Sequence, residues 1–207
     1  YFVGLNPQDL SQSIQIPELA DWWNAFLSLR FKEQPGVKRA EKLLSISLHG
    51  QRLLAKYDLL LQDSAHAFTI YDWKTSNHQP SAQQLRKRLQ SRIYPLVLWF
   101  ILLSSSNPSI TSPEIEMTYW FPTFPETPRR FEYTQADYEL DMDYLTRLID
   151  EILNMEEEEF TRTPELKRCA YCRYRSLCDR GISAGKLAAG EENDATESDF
   201  IFDFDAL

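Results

Sequence analysis

Between Val37 and Thr75 the chain carries three successive runs of alternating or β-branched apolar residues, broken at His49-Gly50 and again from Gln62 to Ala67. A two-residue period is that of a strand buried on one face, and breaks this short leave no room for a crossover. The segment therefore predicts three antiparallel strands in a meander. The rest of the chain has to cover it. Pro17 to Phe31 (PELADWWNAFLSLRF) has apolar residues at helical spacing after a proline start, with Trp22 and Trp23 expected in the core. Pro80 to about Leu103 reads as one long helix, polar at its start and apolar later, which Pro95 could kink. Ile115 to Phe121 and Arg129 to Tyr133 read as further strands separated by a proline-rich turn, and Thr134 or Asp137 is placed to cap a helix running to about Asn154.

At 207 residues, 43% hydrophobic and 13% aromatic, the chain can bury one substantial core. Its longest apolar run, Ile93 to Leu103, is too short to cross a membrane and reads as a buried helix. The first residue is Tyr1 and no basic and apolar leader precedes it, so an internal fragment or processed chain is expected. The net charge of −9 argues against nucleic acid until its distribution is examined. Seven acids and one lysine between Ser183 and Leu207 carry −6 of it, and six more acids lie between Asp150 and Glu159. The expected organisation is a domain over 1–182 followed by an acidic tail over 183–207.

In the third strand (TIYDWKT) the two-residue period puts Asp72 and Lys74 on one face with Ile70, and Tyr71, Trp73 and Thr75 on the other. If the preceding hairpin turns symmetrically about Ala65, the residue opposite Asp72 is Asp58. Like charges set across adjacent strands destabilise a sheet unless something positive lies between them. Magnesium takes a few carboxylate oxygens, keeps several waters and draws other ligands from phosphate. Asp58, Asp72 and the backbone carbonyl of Trp73 would suffice to hold it, with Lys74 beside it to orient water or stabilise charge on phosphate oxygens. An ordinary ion pair on a solvated sheet face would give the same D-x-K pattern. The apolar flanks (Leu53, Leu54, Leu59, Leu60, Ile70, Trp73) favour a central hairpin, where unpaired charge is costly. On the following helix Gln90 and Tyr94, four residues apart, share a face, and Arg86, Lys87, Arg88 and Arg92 surround them. Gln90 and Tyr94 would border the metal site and the basic residues would hold phosphates. Alternatively, Tyr94 is core and the basic cluster a solvated face.

Asp58, Asp72-Trp73-Lys74, Gln90-Ser91-Arg92-Ile93-Tyr94 and Cys169-x2-Cys172-x5-Cys178 occur in an order that resembles the RecB-like branch of the PD-(D/E)xK nuclease superfamily. That branch includes AddB-type helicase-nuclease subunits and CRISPR-associated iron-sulfur exonucleases, and the match runs over roughly Glu41 to Cys178. The resemblance implies an α/β, restriction-endonuclease-like mixed sheet flanked by helices. It also implies cleavage of DNA, single-stranded or at ends, with magnesium or manganese, in repair, recombination or defence. Two positions depart from the pattern. The family's upstream helical histidine has no counterpart among His49, His66 and His78, and Ala55 stands where a glycine is usual. Glu41 could add a carboxylate from the first strand, although a solvated glutamate accounts for it equally well.

The three cysteines are odd in number and too closely spaced for a disulfide framework, which points to a reducing cytoplasm and to ligation of a metal or cluster. A four-iron four-sulfur cluster needs four cysteines. The resemblance implies a fourth near the N-terminus, so the missing ligand is expected upstream of Tyr1. Zinc is the alternative, although no histidine lies at finger-like spacing. The tail ending DFIFDFDAL alternates acids with apolar residues and reads as a solubilising terminus, as a peptide for a protein partner, or as a nucleic-acid mimic covering this domain's own basic groove. Two other functions compete: a catalytically inactive DNA-binding or scaffold subunit, and a zinc-stabilised interaction module, which would leave the acidic hairpin unexplained.

Overall fold

The computed structural model describes residues 4, 6–31, 33–64, 66–105, 112–169, 172 and 174–181, so the acidic tail lies outside the described residues. The chain divides into two units, Tyr1–Ile152 and Leu153–Leu207.

The first unit is built on a five-stranded sheet in the order β1-β2-β3-β4-β5: Val37–Leu48, Gln51–Gln62, Ala67–Trp73, Glu114–Trp120 and Arg129–Tyr133. β1, β2 and β3 form the expected antiparallel meander. Its first turn is His49-Gly50, both with positive φ (48° and 75°), the backbone that lets a two-residue turn follow the right-handed twist of its strands. In the second turn the Asp63 N–H donates to the Ala67 carbonyl at 3.0 Å, and Ser64 Oγ accepts from the Ala67 N–H at 3.2 Å. β4 then runs parallel to β3, which requires a crossover, and β5 returns antiparallel to β4. The sheet is therefore mixed, with helices on both faces.

The crossover differs from the expected single helix. α3 (Ala82–Arg86) is opened by Ser81 and Gln84 in a reciprocal capping box, and α4 (Leu89–Ser104) begins after Arg88, whose backbone is extended (φ −68°, ψ 144°). The break falls at Lys87-Arg88, and α4 runs through Pro95 without interruption. The Leu85 carbonyl explains this: it accepts from the Arg88 N–H at 3.1 Å and from the Ser91 hydroxyl at 2.5 Å, so the end of α3 is satisfied without continuing as α-helix.

α4 packs Leu96, Val97, Leu98 and Trp99 into the main core with Ile70 and Met117 of the sheet. α5 (Gln135–Asn154) closes that side through Leu145 and through Tyr138, stacked on Trp99 at 5.7 Å. Thr134 caps it as expected: its Oγ1 accepts from the Asp137 N–H at 3.2 Å while Asp137 Oδ2 accepts from the Thr134 N–H at 2.9 Å. On the other face lies α2, and α1 (Pro7–Ser13), short and without a buried residue, precedes it. α2 spans Pro17–Ser28 and stops short of Phe31, because Arg30 takes a left-handed backbone (φ 52°) that ends the helix. The turn sends Phe31, 1% exposed, into the core in place of Trp22 and Trp23, which are only half-buried. Phe26 meets Trp73 edge-on at 5.6 Å, and Phe31 meets Tyr71 at 4.9 Å.

Within the second unit, short 3-10 turns at Glu157–Glu159, Leu166–Cys169 and Arg175–Cys178 are tied by arginines. Arg180 donates to the Thr163 carbonyl at 2.7 Å and to Cys169 Sγ at 2.9 Å, and Arg162 donates to the Cys178 carbonyl at 3.1 Å. Side-chain-to-carbonyl bonds thus stand where an apolar core would otherwise be.

Gly36, just before β1, has φ 94°, and a Cβ there would lie 2.3 Å from the Gln62 carbonyl oxygen; a Cβ on Gly50 meets nothing within 4 Å. Gly36→Ala should therefore cost roughly 3 kcal/mol and Gly50→Ala about 1 kcal/mol in urea unfolding. Equal costs would mean that the close approach of β1 and β2 is not as described.

Candidate active site

The register between β2 and β3 pairs Leu60 with Ile70 and Leu59 with Tyr71. One step further along the same register, Asp58 stands opposite Asp72, as the symmetric hairpin requires. There the backbone ladder ends, and the Asp58 side chain takes over: its Oδ2 accepts the Trp73 N–H at 2.7 Å. β3 keeps its other neighbour, with Asp72 beside Tyr119 and Trp73 beside Trp120 in parallel β4, and the Lys74 N–H donating to the Trp120 carbonyl at 2.9 Å. β2 thus diverges from the sheet at the two aspartates, while β3 stays anchored to its far side.

Asp72 is 3% exposed and lies at the centre of a closed set of contacts. Lys74 Nζ is 2.9 Å from Asp72 Oδ2, as the shared strand face predicts, and donates to Gln90 Oε1 at 3.1 Å. Gln90 Nε2 donates back to Asp72 Oδ1 at 2.5 Å. The amide satisfies the acid and the base with its two ends, and so fixes their mutual orientation. Tyr94, one turn along α4, is buried; its carbonyl accepts from Tyr57 OH at 2.9 Å, and burial with the Asp72 and Asp58 charges pushes its phenol up to about 12. It is a neutral hydrogen-bonding group at any physiological pH.

Burial first, and then the Asp72 charge, pushes the Asp58 carboxyl up to about 7, against the Trp73 N–H and Lys74, which favour its ionised form. Two carboxyls held at this separation therefore resist joint ionisation unless a cation joins them. Their hard oxygen donors suit magnesium or manganese, with waters and phosphate completing the shell. Among the described residues, no group of three His, Cys, Asp or Glu side chains is arranged to hold a metal.

The basic residues divide. Arg92 donates to Asp141 Oδ1 at 2.6 Å and lies 4.5 Å over the Tyr144 ring; Arg86 donates to the Glu132 carbonyl at 2.7 Å and lies over Phe131. Both are engaged in tying helices to the fold. Lys87 and Arg88, at the break between α3 and α4, adjoin Gln90 in the chain, and Lys87 is exposed. Glu41 falls opposite Asp58 in the β1–β2 register with a left-handed backbone (φ 52°), and its carboxylate pairs with Lys56 at 2.7 Å. Two buried hydroxyls went unread in the sequence: Ser91 Oγ and Tyr119 OH, 2.7 Å apart. Only the parallel pairing of β4 beside β3 brings Tyr119 to Asp72, and nothing in the local pattern signals it.

The model of one protein family matches residues 7–179, which is most of the chain and contains every residue of this site. The chain belongs to the PD-(D/E)XK nuclease superfamily. No curated protein matches it. Among solved structures, a candidate exonuclease from Eubacterium rectale superposes with a TM-score of 0.50 at 12% identity, covering 82% of this chain and 63% of that one. The chain therefore spans less than two thirds of that protein's length, and the likeness is one of fold: a mixed five-stranded sheet flanked by helices. A second structure, SSO0001, gives a TM-score of 0.41 at 16% identity, covering 80% of this chain and 71% of that one; at that level it carries no weight.

An acid whose folded-state pKa is raised holds its proton in the folded state after the unfolded chain has lost it. Asp58 thus lowers stability progressively as pH rises from about 4 to about 7, and the penalty is complete above that. Asp58→Asn should be more stable than the parent by roughly 1 to 3 kcal/mol at pH 8 in EDTA, with the difference vanishing toward pH 4. A pH-independent difference in thermal unfolding would show that Asp58 does not titrate in this window.

Proposed function

We propose that the chain is a divalent-metal-dependent DNA nuclease of the RecB-like branch, acting on single strands or ends. The observation that carries this reading is the closed Asp72, Lys74 and Gln90 contact set standing against Asp58 on the neighbouring strand. A structural ion pair needs no second, half-buried acid beside it, and one that raises its own protonation is a cost to the fold. Asp58, Asp72 and the Trp73 backbone carbonyl would hold magnesium or manganese, and the ion would supply a Lewis acid at the scissile phosphodiester. The remaining work falls to the chain. Lys74 presents positive charge where negative charge grows on the phosphate, Gln90 keeps its ammonium in place, and Tyr94 stays protonated and able to donate. Exposed Lys87 is the first candidate for a phosphate contact, with Arg88 beside it in the chain, whereas Arg86 and Arg92 would have to leave the partners described above.

The Cys169, Cys172 and Cys178 spacing supports a four-iron four-sulfur cluster completed by a ligand from outside this sequence, and none of the three forms a disulfide. That state suits a reducing cytoplasm, and repair, recombination or defence as the process served. The domain would extend over 1–182, with the tail over 183–207 available to a protein partner.

Asp72→Ala and Lys74→Ala should each lower magnesium- or manganese-dependent cleavage of a labelled oligonucleotide by about 100-fold or more while leaving the fold intact. Cleavage by Asp72→Ala near the parent rate would remove this site, and an inactive parent that still binds DNA would favour the scaffold reading. For the cysteines, a chain extended upstream of Tyr1 to supply a fourth ligand, purified without oxygen, should be brown and lose its colour on Cys172→Ser. Colourless protein with stoichiometric zinc would instead favour the interaction-module reading.

A further inference from the structure

We infer that Tyr119 and Ser91 form a positioning pair that sets Gln90 and Lys74 on Asp72. The inference rests on the nuclease reading of that site. Ser91 has one hydroxyl proton, and it goes to the Leu85 carbonyl at 2.5 Å. At the 2.7 Å contact between Ser91 Oγ and Tyr119 OH the phenol is therefore the donor. Burial, with the Asp72 charge adding, holds the Tyr119 phenol well above the ordinary tyrosine range, so it keeps the proton this bond needs.

The first turn of α4 depends on that chain of hydroxyls. Arg88 at its start makes no side-chain cap bond. Pro95 has no N–H for the Ser91 carbonyl four residues back, so the turn carrying Gln90 is also short of a backbone bond. Ser91 compensates from its side chain in two directions, to the end of α3 and to β4. Tyr119 completes the arrangement from below. It is fully buried, stands beside Asp72 in the parallel register, and places its ring 5.7 Å from Lys74 Nζ, within cation–π range. One side chain thus reaches both the base just past β3 and, through Ser91, the helix whose amide orients that base.

The test uses single-turnover cleavage of a labelled single-stranded oligonucleotide with magnesium, at temperatures well below each variant's unfolding transition. Tyr119→Phe and Ser91→Ala should each lower the maximal rate about tenfold, with the half-saturating oligonucleotide concentration changed less than about twofold, because the defect lies in placement rather than binding. The double variant should be no slower than Ser91→Ala, which already lacks the Tyr119 bond along with the one to the Leu85 carbonyl. Tyr119→Leu, which also removes the ring beneath Lys74, should be slower still. Parent rates in both Tyr119→Phe and Ser91→Ala would make the pair merely structural and overturn the inference, as would fully additive losses in the double variant. Asp72→Ala separates the two levels. If it is inactive while Tyr119→Phe is fully active, only the positioning role falls; if Asp72→Ala cleaves like the parent, the site itself falls and the pair's role with it. Should Tyr119→Phe not fold, Ser91→Ala decides the matter: a parent rate overturns the inference, and a tenfold loss at unchanged half-saturation supports it.

Discussion

The arrangement of the first unit turns on one unfavourable interaction: two carboxyls brought opposite each other across neighbouring strands, Asp72 buried and Asp58 half-buried. Each would be more stable alone or exposed. What holds them is covalent and topological, a turn at Gln62–Ala67 that fixes the register and a β4 that grips β3 from its other side. Their surroundings offset only part of the cost. Asp58 gains a backbone N–H, Asp72 gains an ammonium and an amide, and Asp58 still titrates near neutrality. The remaining cost is carried by the packing around the pair.

The packing behind the pair is aromatic. Trp73 belongs to both sides of the sheet: its N–H is held by Asp58, and its ring is packed by Phe26, Phe31 and Trp120 at 5.6 to 5.7 Å. Large, stiff rings have few rotamers to explore, so the backbone that presents Asp72 and Lys74 is clamped from the rear while the front remains polar. The position of Phe31 depends in turn on Arg30 ending α2 early.

How much of this could be read from the residues depends on the range of the interactions that decide it. The meander and the opposition of Asp58 to Asp72 were legible, because turn residues and a two-residue period are local and a hairpin's register follows from its turn. Superfamily-level motifs were legible for the same reason. The break between α3 and α4 was not, since it depends on Ser91 reaching back to Leu85, and a serine at that position looks like any other polar residue of a helix. Tyr119 was invisible beside Asp72 because a parallel pair joined by a long crossover carries no symmetry that the sequence could reveal. Arg86 and Arg92 looked like a phosphate-binding cluster by spacing alone; their partners, Glu132 and Asp141, come from β5 and α5. The residues past Gly181 offered only composition.

β2 pairs with β1 from Gln51 to Gln62 but with β3 only from Leu59 onward. From Gln51 to Tyr57 β2 has a strand neighbour on one side only, and what holds that arm is its packing, with Ala55 and Tyr57 fully buried in the main core and Tyr57 bonded to the Tyr94 carbonyl of α4. The seam between the two regimes runs through the aspartates themselves. There the bond from the Trp73 N–H to Asp58 stands where the next rung of the β2–β3 ladder would be. The acids therefore sit where β2 passes from strand pairing on both sides to pairing on one, and amide exchange would find this boundary as a step in protection along β2.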